Sequence, residues 1–259
     1  MGSVCQPGSV AEVYGVDGAR GGWAVAVVEL PAAGDPDGRV AGLRWRTFHG
    51  QDAAGLGDLL TAARQDGAVA IGVDCPIGLP SSAWRPCDLA AKRRLGRGSA
   101  RVFLAPPRAV LAAPTYADAR AVARELLGKG ISAQTYGIRR IVLAVDDALR
   151  AGPGEPAGRW AVGQLPQVLE VHPELSFMAM SGRGPGDPLP SKRTPAGRRA
   201  RVEAVGGWLR PGLALDPPDG DDHLDALAAA WSAWRWACGT AEELGGEPDE
   251  VGLPMRIVI

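Results

Sequence analysis

The stretch "YGVDGARGGWAVAVVEL", residues 14–30, contains two apolar runs on either side of a glycine-rich turn. Residues 13–16 and 23–30 predict two short strands, and "DGARGG" between them predicts the turn of a hairpin. Aspartate and glycine are both poor strand residues. Asp17, which ends the first strand, is therefore either a turn residue or the first member of a site.

The next segments extend this hairpin into a larger sheet. Residues 40–49 alternate well enough to predict a third strand, and Asp52 is typical of the N-cap of a helix that runs through Arg64. The run "AVAIGV", residues 68–73, lacks alternation, which indicates a strand buried on both faces. We expect that strand to be central and parallel to a neighbour, and it leads directly into Asp74. The pattern predicts an α/β fold.

The remainder predicts one domain over residues 1–259, without internal repeats. Residues 84–150 have a helical pattern rich in arginine, which predicts a helical insertion. The density of Gly, Pro and Ser predicts flexible loops at about 151–165 and 181–192. The other predicted elements are a strand at 168–171, a helix at 198–208, a long helix containing "DDHLDALAAAWSAWRWA" and a C-terminal strand "MRIVI".

Composition excludes several classes of protein. The formal net charge is −1, so no global basic field indicates a nucleic-acid-binding protein. The four cysteines are scattered without zinc spacing, which favours reduced thiols. The N-terminus lacks the pattern of a signal peptide, and no apolar run approaches the roughly 18 residues of a membrane span. We therefore expect a cytoplasmic protein without a membrane partner.

Several acidic residues lie at the ends of apolar elements. Asp17 and Asp74 end predicted strands, Glu170 lies in "VLEVHPE", and Asp222 with Asp225 begins the long helix, three residues apart and so on one side of it. Each alone has a simpler explanation as a turn, a strand end or a helix cap. Together, converging carboxylates would repel one another without a cation. Oxygen ligands without a Cys/His set favour Mg²⁺ or Mn²⁺.

The element order and these acids resemble the ribonuclease H-like fold, a mixed five-stranded sheet flanked by helices. The chain is also similar, from about residue 13 to 236, to the family called domain of unknown function 429, predicted ribonuclease H-like nucleases. The matching segments are "GVDGARGGW", "IGVDCPIGLP", "RPCDLAAKRRLG…RVFLAPPRAVL", "GISAQTYGI", "LEVHPELSF", "KRTPAGRRAR" and "DDHLDALAAAW".

The resemblance implies that Asp17, Asp74, Asp222 and Asp225 are metal ligands or the general base of a catalytic site that uses Mg²⁺ or Mn²⁺. Glu170 is a further catalytic candidate, and the choice between it and Glu174 stays open.

A second group of residues has a candidate role in binding substrate. Arg97 and Arg101 lie in the arginine-rich insertion, where phosphate contacts and a solvated helical face are equally consistent with the sequence. Lys192 and Arg201 have the same two interpretations. His172 is either a structural histidine or a proton carrier or phosphate contact. The remaining assignments are His223 as a solvated residue, and Trp231 and Trp234 as core or a homodimer face.

These observations predict a metal-dependent phosphodiester hydrolase that acts on nucleic acid or a nucleotide. Two metal ions could activate water and stabilise the leaving oxygen. One alternative is an actin-like ATP-binding or kinase-type phosphotransfer protein, which also begins with a strand and an Asp-Gly turn but needs two duplicated halves. The other is a non-catalytic ribonuclease H-like binding module. The sequence does not decide the substrate.

Overall fold

A computed structural model of the chain describes residues 11–31, 38–40, 42–150, 166–215, 217–218 and 220–259. Its centre is a five-stranded sheet in the order β3-β2-β1-β4-β5, in which β1, β2 and β3 are antiparallel and β4 is parallel to both β1 and β5. A two-stranded antiparallel sheet joins β6 and β7. The strands are β1 (Glu12–Ala19), β2 (Gly22–Glu29), β3 (Gly42–His49), β4 (Ala68–Val73), β5 (Gln167–Glu170), β6 (Glu243–Pro248) and β7 (Pro254–Val258).

Helices cover both faces of the five-stranded sheet. They are α1 (Ala53–Gln65), α2 (Pro86–Leu95), α3 (Arg108–Ala112), α4 (Tyr116–Leu127), α5 (Ala133–Gly137), α6 (Arg139–Leu149), α7 (Pro173–Met180), α8 (Pro195–Gly206) and α9 (Asp221–Ala237), with a 3-10 helix at Gly96–Arg101. In the described residues, no helix has the length and apolar character needed to cross a bilayer. The sheet order, with helices on both faces, confirms the expected ribonuclease H-like α/β fold.

The helix α9 lies directly against the central strands because two glycines allow it to. A Cβ atom added to Gly15 would come 1.9 Å from the carbonyl oxygen of Ala226, and one added to Gly72 would come 2.4 Å from that of Ala229. The part of α9 that faces these glycines is rich in alanine, whose side chain is a single methyl group. Strand and helix backbones therefore approach closely, which fixes the beginning of α9 over the ends of β1 and β4.

The opposite face of the sheet packs against α1 and α6. Val16 and Val73 belong to the core on that side, together with Leu59 and Leu60 of α1 and Val142 of α6. Asp52 accepts a hydrogen bond from Gly55 N–H at 2.9 Å and caps α1, as the sequence predicts. The buried strand 68–73 is confirmed as β4, with a parallel neighbour on each side.

Most of the other predicted elements are confirmed within a few residues. The helical pattern of residues 84–150 corresponds to α2 through α6, and residues 181–192 contain neither helix nor strand. The predicted loop 151–165 lies outside the described residues. Two elements were not predicted from the sequence: α7, an apolar run after Pro173, and β6, whose residues Glu243–Pro248 contain two glycines and a proline.

The hairpin of β6 and β7 is tied to the segment that follows β4. Asp249 accepts hydrogen bonds from the N–H groups of Leu79 and Leu253, both at 2.9 Å, and forms an ion pair with Arg108 at 2.6 Å. Arg108 also binds Asp146 of α6 at 2.9 Å. These contacts hold the chain that leaves β4, and with it the position just after Val73.

Candidate functional site

Asp17 and Asp74 lie side by side on the face of the sheet that α9 covers. Val16 of β1 is in register with Val73 of β4, and Asp74 N–H donates to the carbonyl of Val16 at 2.9 Å. Side chains two residues apart on a strand share a face. Asp17 is therefore on the same face as Gly15, and Asp74 on the same face as Gly72, so both carboxyl groups lie beneath the beginning of α9.

The first turns of α9 bring two more carboxylates to this place. Asp222 and Asp225 are three residues apart and lie on one side of the helix. Burial raises the pKa of Asp17 well above its ordinary value, and the charges of Asp74, Asp225 and Asp222 raise it further. The structure thus brings together the four predicted aspartates, which we call the aspartate cluster.

The pKa values of Asp74 and Asp225 are raised as well. Burial and then the charge of Asp225 raise the pKa of Asp74 to about 8. Burial also raises the pKa of Asp225, although an ion pair with Lys192 opposes the rise. Raised carboxyl pKa values mean that this site favours a proton or another cation over its own negative charge.

Lys192 is the cation that lowers the pKa of each of these three aspartates. Its Nζ lies 2.5 Å from Oδ2 of Asp225. Burial lowers the pKa of Lys192, but the nearby carboxylates of Asp225, Asp17 and Asp221 together raise it above its ordinary value. The side chain is nevertheless 40% exposed. The ammonium therefore reaches the aspartate cluster from the solvent side, on a flexible stem, and neutralises it in part.

The donor set of the aspartate cluster fits a hard divalent cation. Its ligands are carboxylate oxygens, as Mg²⁺ and Mn²⁺ prefer, and after burial the neighbouring carboxylates add to the raised pKa values of Asp17 and Asp74. The carboxylates are not drawn together as tightly as they would be around an ion. Within the part of the chain that the structure describes, three ligand atoms lie within 4.8 Å of one another at Cys87, Asp88 and Glu170 alone.

That second group is occupied by an arginine. The Arg85 guanidinium forms a two-pronged ion pair with Glu170, binds Asp88 at 3.2 Å and donates to the carbonyl of Ile77 at 3.1 Å. We call Arg85, Asp88 and Glu170 the arginine-bridged cluster. Two backbone N–H groups, those of Ile77 and Ala105, each donate to one of its carboxylates at 2.8 Å.

Glu170 therefore differs from the other predicted catalytic acids. It is in register with Val73, so it lies on the opposite face of the sheet from Asp74. Arg85 opposes the rise that burial causes in the pKa of Glu170. Its charge still contributes to the raised pKa of Asp74, after that of Asp225. The structure does not bring Glu170 into the aspartate cluster, and its geometry is that of a positioning residue.

Glu174, the alternative acid, is held by two arginines. Its Oε2 binds Arg101 at 2.8 Å and its Oε1 binds Arg201 at 2.5 Å. Arg201 is almost fully buried and also donates to the carbonyls of Pro190 and Gly197. Arg201 thus contacts protein groups rather than open solvent, and its proposed contact with substrate stays a prediction.

The remaining candidates have contrasting surroundings. Burial lowers the pKa of His172, so its imidazole is neutral at pH 7, and its buried Nδ1 has no hydrogen-bond partner among the described residues. Arg97 is exposed and lies 3.8 Å from Asp187. The prediction that His223 is solvated is wrong: it is 7% exposed, and its ring meets that of Trp45 edge-on.

The tryptophans of α9 contribute to the protein core. Trp231 is buried in the apolar cluster beneath α9 and stacks with Arg235. Trp234 packs against Trp208, with 5.6 Å between ring centroids. The core interpretation of Trp231 is therefore confirmed, and the homodimer stays a prediction.

A cavity of about 580 Å³ opens beside the aspartate cluster. Asp74 and Asp225 line it on one side. Four further predicted residues, Arg101, Glu170, His172 and Lys192, also line it, as do Glu174 and Asp88. Arg97, Arg201, Asp17 and Asp222 are not among the residues that line it.

Sequence reasoning missed Arg85, although it stands in the quoted segment "RPCDLAAKRRLG". Its role depends on a contact with Glu170, 85 positions away along the chain. A single buried arginine in a charge-rich run gives no local signal of this kind. The neighbouring acid Asp88 was a hint, because arginine and aspartate three residues apart can pair.

Comparisons with known proteins agree with the sequence resemblance. Residues 15–250 match the family described as "Protein of unknown function (DUF429)". The similar solved structures include "Thermus thermophilus RuvC structure", with 16% identity, a TM-score of 0.38, and coverage of 88% of this chain and 97% of that one. "T. thermophilus RuvC in complex with Holliday junction substrate" gives the same identity, TM-score and coverage of this chain, and 96% of its own. No curated protein matches this chain.

Proposed function

This chain belongs to the family of proteins of unknown function DUF429, and from its site we propose that it is a metal-dependent phosphodiester hydrolase. One observation carries the proposal. Asp17 and Asp74 of the sheet meet Asp222 and Asp225 of α9 at one place, where the pKa values of Asp17, Asp74 and Asp225 are raised. Buried like charges of this kind are costly unless they bind something positive.

In this proposal the aspartate cluster holds Mg²⁺ or Mn²⁺. When bound, such an ion supplies an activated water and stabilises negative charge on the phosphate and the leaving oxygen. Hydrolysis forms a bond from the water oxygen to phosphorus and breaks one phosphorus–oxygen ester bond, and the released oxygen takes up a proton.

Other residues of the chain have supporting roles. Lys192 holds Asp225 in place and can give up that contact because its stem is partly exposed. Arg101 reaches the same cavity while its Nη1 remains anchored to Glu174 and to the carbonyl of Leu189, both at 2.8 Å. Arg85 fixes Glu170 and the segment after β4, and so positions Asp74 without touching substrate.

The alternatives have less support. An actin-like phosphotransfer protein needs two duplicated halves, whereas the described residues form one five-stranded sheet and one hairpin. A non-catalytic module gains nothing from four converging aspartates, one buried and three half-buried, whose mutual repulsion costs stability.

The test is cleavage of labelled single-stranded and duplex DNA and RNA with Mn²⁺ or Mg²⁺. We expect wild-type cleavage that EDTA abolishes and that Asp74→Asn lowers by about 100-fold or more, because the ion supplies several kcal/mol of transition-state stabilisation. Asp58→Asn is the matched control, since Asp58 is exposed on α1. Equal activity in wild type and Asp74→Asn would contradict the proposal.

A further inference from the structure

The cavity beside the aspartate cluster has a floor of buried residues and an exposed rim. Cys75, Val171 and Ile257 lie at the floor, whereas Gln134 and Arg193 are exposed at the rim. Its volume of about 580 Å³ lies within the roughly 300–1,000 Å³ typical of sites that enclose a small molecule. A cavity of this volume accommodates a nucleotide unit rather than a length of duplex.

Besides the carboxylates of Asp74, Asp88, Glu170, Glu174 and Asp225, its walls combine three kinds of chemistry. Phe103 and Ile138 supply apolar and aromatic surface, and both come from the helical insertion between β4 and β5. Arg101 and Arg193 supply positive charge. Arg193 makes no ion pair with any described residue. Gln134 adds an amide that can both donate and accept hydrogen bonds.

The arginines of the insertion are only partly neutralised: Arg93, Arg120, Arg124 and Arg140 are exposed and form no ion pair with a described residue. Other arginines of the insertion are bound to carboxylates: Arg85 to Glu170 and Asp88, Arg94 to Glu242, Arg97 to Asp187, Arg101 to Glu174, and Arg108 to Asp146 and Asp249. A duplex-binding surface neutralises several phosphates with unpaired Lys and Arg. The net charge of the whole chain is −1, which adds no long-range attraction.

We propose that this cavity binds a single nucleotide unit of a phosphodiester, so that the chain acts on a strand end or on a small nucleotide ester rather than within a duplex. This inference rests on the proposed function, and it names the class of substrate. The base stacks on Phe103 beside Ile138, its polar edge meets Gln134, and the phosphate lies between Arg193 and the aspartate cluster.

Binding is tested first, without cleavage, by titrating dAMP into the full chain in the presence of Ca²⁺ and measuring heat. We expect saturable binding that Phe103→Leu and Gln134→Ala each weaken, the former by about tenfold, because one base–aromatic stack contributes roughly that much. Phe103→Leu keeps an apolar side chain of similar size, and Gln134 is exposed, so both variants should fold. Asp58→Asn serves as the control and should bind like wild type.

Cleavage then distinguishes the two sources of a nucleotide unit. In the presence of Mn²⁺, the cleavage rates of three substrates are compared. They are a linear single-stranded DNA, the same strand closed into a circle, and the dinucleotide pdApdA. Shortening of the linear strand from one end, with the circle at least about tenfold slower, supports action at strand ends. Cleavage of the dinucleotide alone supports a small ester.

The outcomes separate this inference from the proposed function. Failure of dAMP to bind overturns the nucleotide cavity whatever is cleaved. Cleavage of the circle as fast as the linear strand, lost in Asp74→Asn, also overturns it while the hydrolase stands. If dAMP binds with the expected losses in the variants but no substrate is cleaved, the cavity assignment is supported and the hydrolase is overturned.

Discussion

Carboxylates of the aspartate cluster and of the arginine-bridged cluster line the same cavity, and the two clusters differ in how their charge is balanced. In the arginine-bridged cluster, one guanidinium and two backbone N–H groups serve the carboxylates of Asp88 and Glu170. In the aspartate cluster, the partly exposed ammonium of Lys192 lowers the pKa values of Asp17, Asp74 and Asp225, and Arg201 also lowers that of Asp225.

The difference separates structural acids from candidate catalytic ones. A buried charge that the chain itself satisfies contributes to the fold and leaves nothing for a ligand. A buried group of like charges that the chain satisfies only in part costs stability, and that cost is recovered when a cation binds. Burial and acidity alone therefore do not distinguish the two clusters, and the proposed site rests on incomplete charge compensation.

Removal of Arg85 should have the largest effect on stability. In Arg85→Met, Glu170 and Asp88 keep their burial and lose their cation, so we expect a loss of about 3–5 kcal/mol in the free energy of unfolding. Urea denaturation measures it. The control is Arg94→Met, which breaks a partly exposed pair with Glu242 and should cost under about 1 kcal/mol. Similar costs for the two variants would contradict the comparison.

Addition of Mn²⁺ should have the next largest effect, and only through the aspartate cluster. At 100 times the Kd, an ion that binds the folded chain adds about 2.7 kcal/mol, or roughly 5–10 °C in Tm for a chain of this size. Thermal unfolding with and without Mn²⁺ measures the shift. Asp74→Asn should lose most of it and Asp58→Asn none, and an equal shift in all three proteins would show that the ion binds elsewhere.

Without metal, Asp74→Asn should be more stable than wild type at alkaline pH. The folded pKa of Asp74, about 8, exceeds the ordinary value of 3.8, so the folded state binds more protons between these values. The free energy of unfolding then falls as pH rises from about 4 to 8.

The asparagine variant lacks this charge, and we expect it to be more stable than wild type at pH 8 by a wider margin than at pH 5. Urea denaturation in EDTA at pH 5 and pH 8 measures the difference. A wild-type chain that becomes more stable over this range, relative to Asp74→Asn, would show that the cluster is not under repulsion.

Lys192→Met should have the smallest effect on stability, under about 1 kcal/mol, because the ion pair is partly exposed. The same substitution should have a larger effect on the affinity for Mn²⁺. Without the ammonium, the aspartates should bind Mn²⁺ more tightly, which isothermal titration measures directly. Weaker binding in this variant would show that Lys192 orders the ligands rather than competing for them.

The sequence by itself determined the sheet and most of its order. The apolar run of residues 68–73 and the hairpin around Asp17 can be recognised from neighbouring residues alone. The signals are the spacing of apolar residues and the residue types of the turn. The same patterns placed Asp17, Asp74, Asp222 and Asp225 at element ends, so their meeting could be anticipated from the order of elements. The segment Glu243–Pro248 was missed because its glycines and proline conceal a strand that pairing with β7 stabilises.

Only the tertiary structure decided which acids act together. Glu170 differs from Asp74 by the face of the sheet on which it lies, and that depends on the register between two strands 90 or more residues apart in sequence. The balance of charge likewise depends on Arg85 and Lys192, which come from segments distant from the acids they bind. Electrostatic compensation is a property of distances in space, and no local pattern in the chain encodes it.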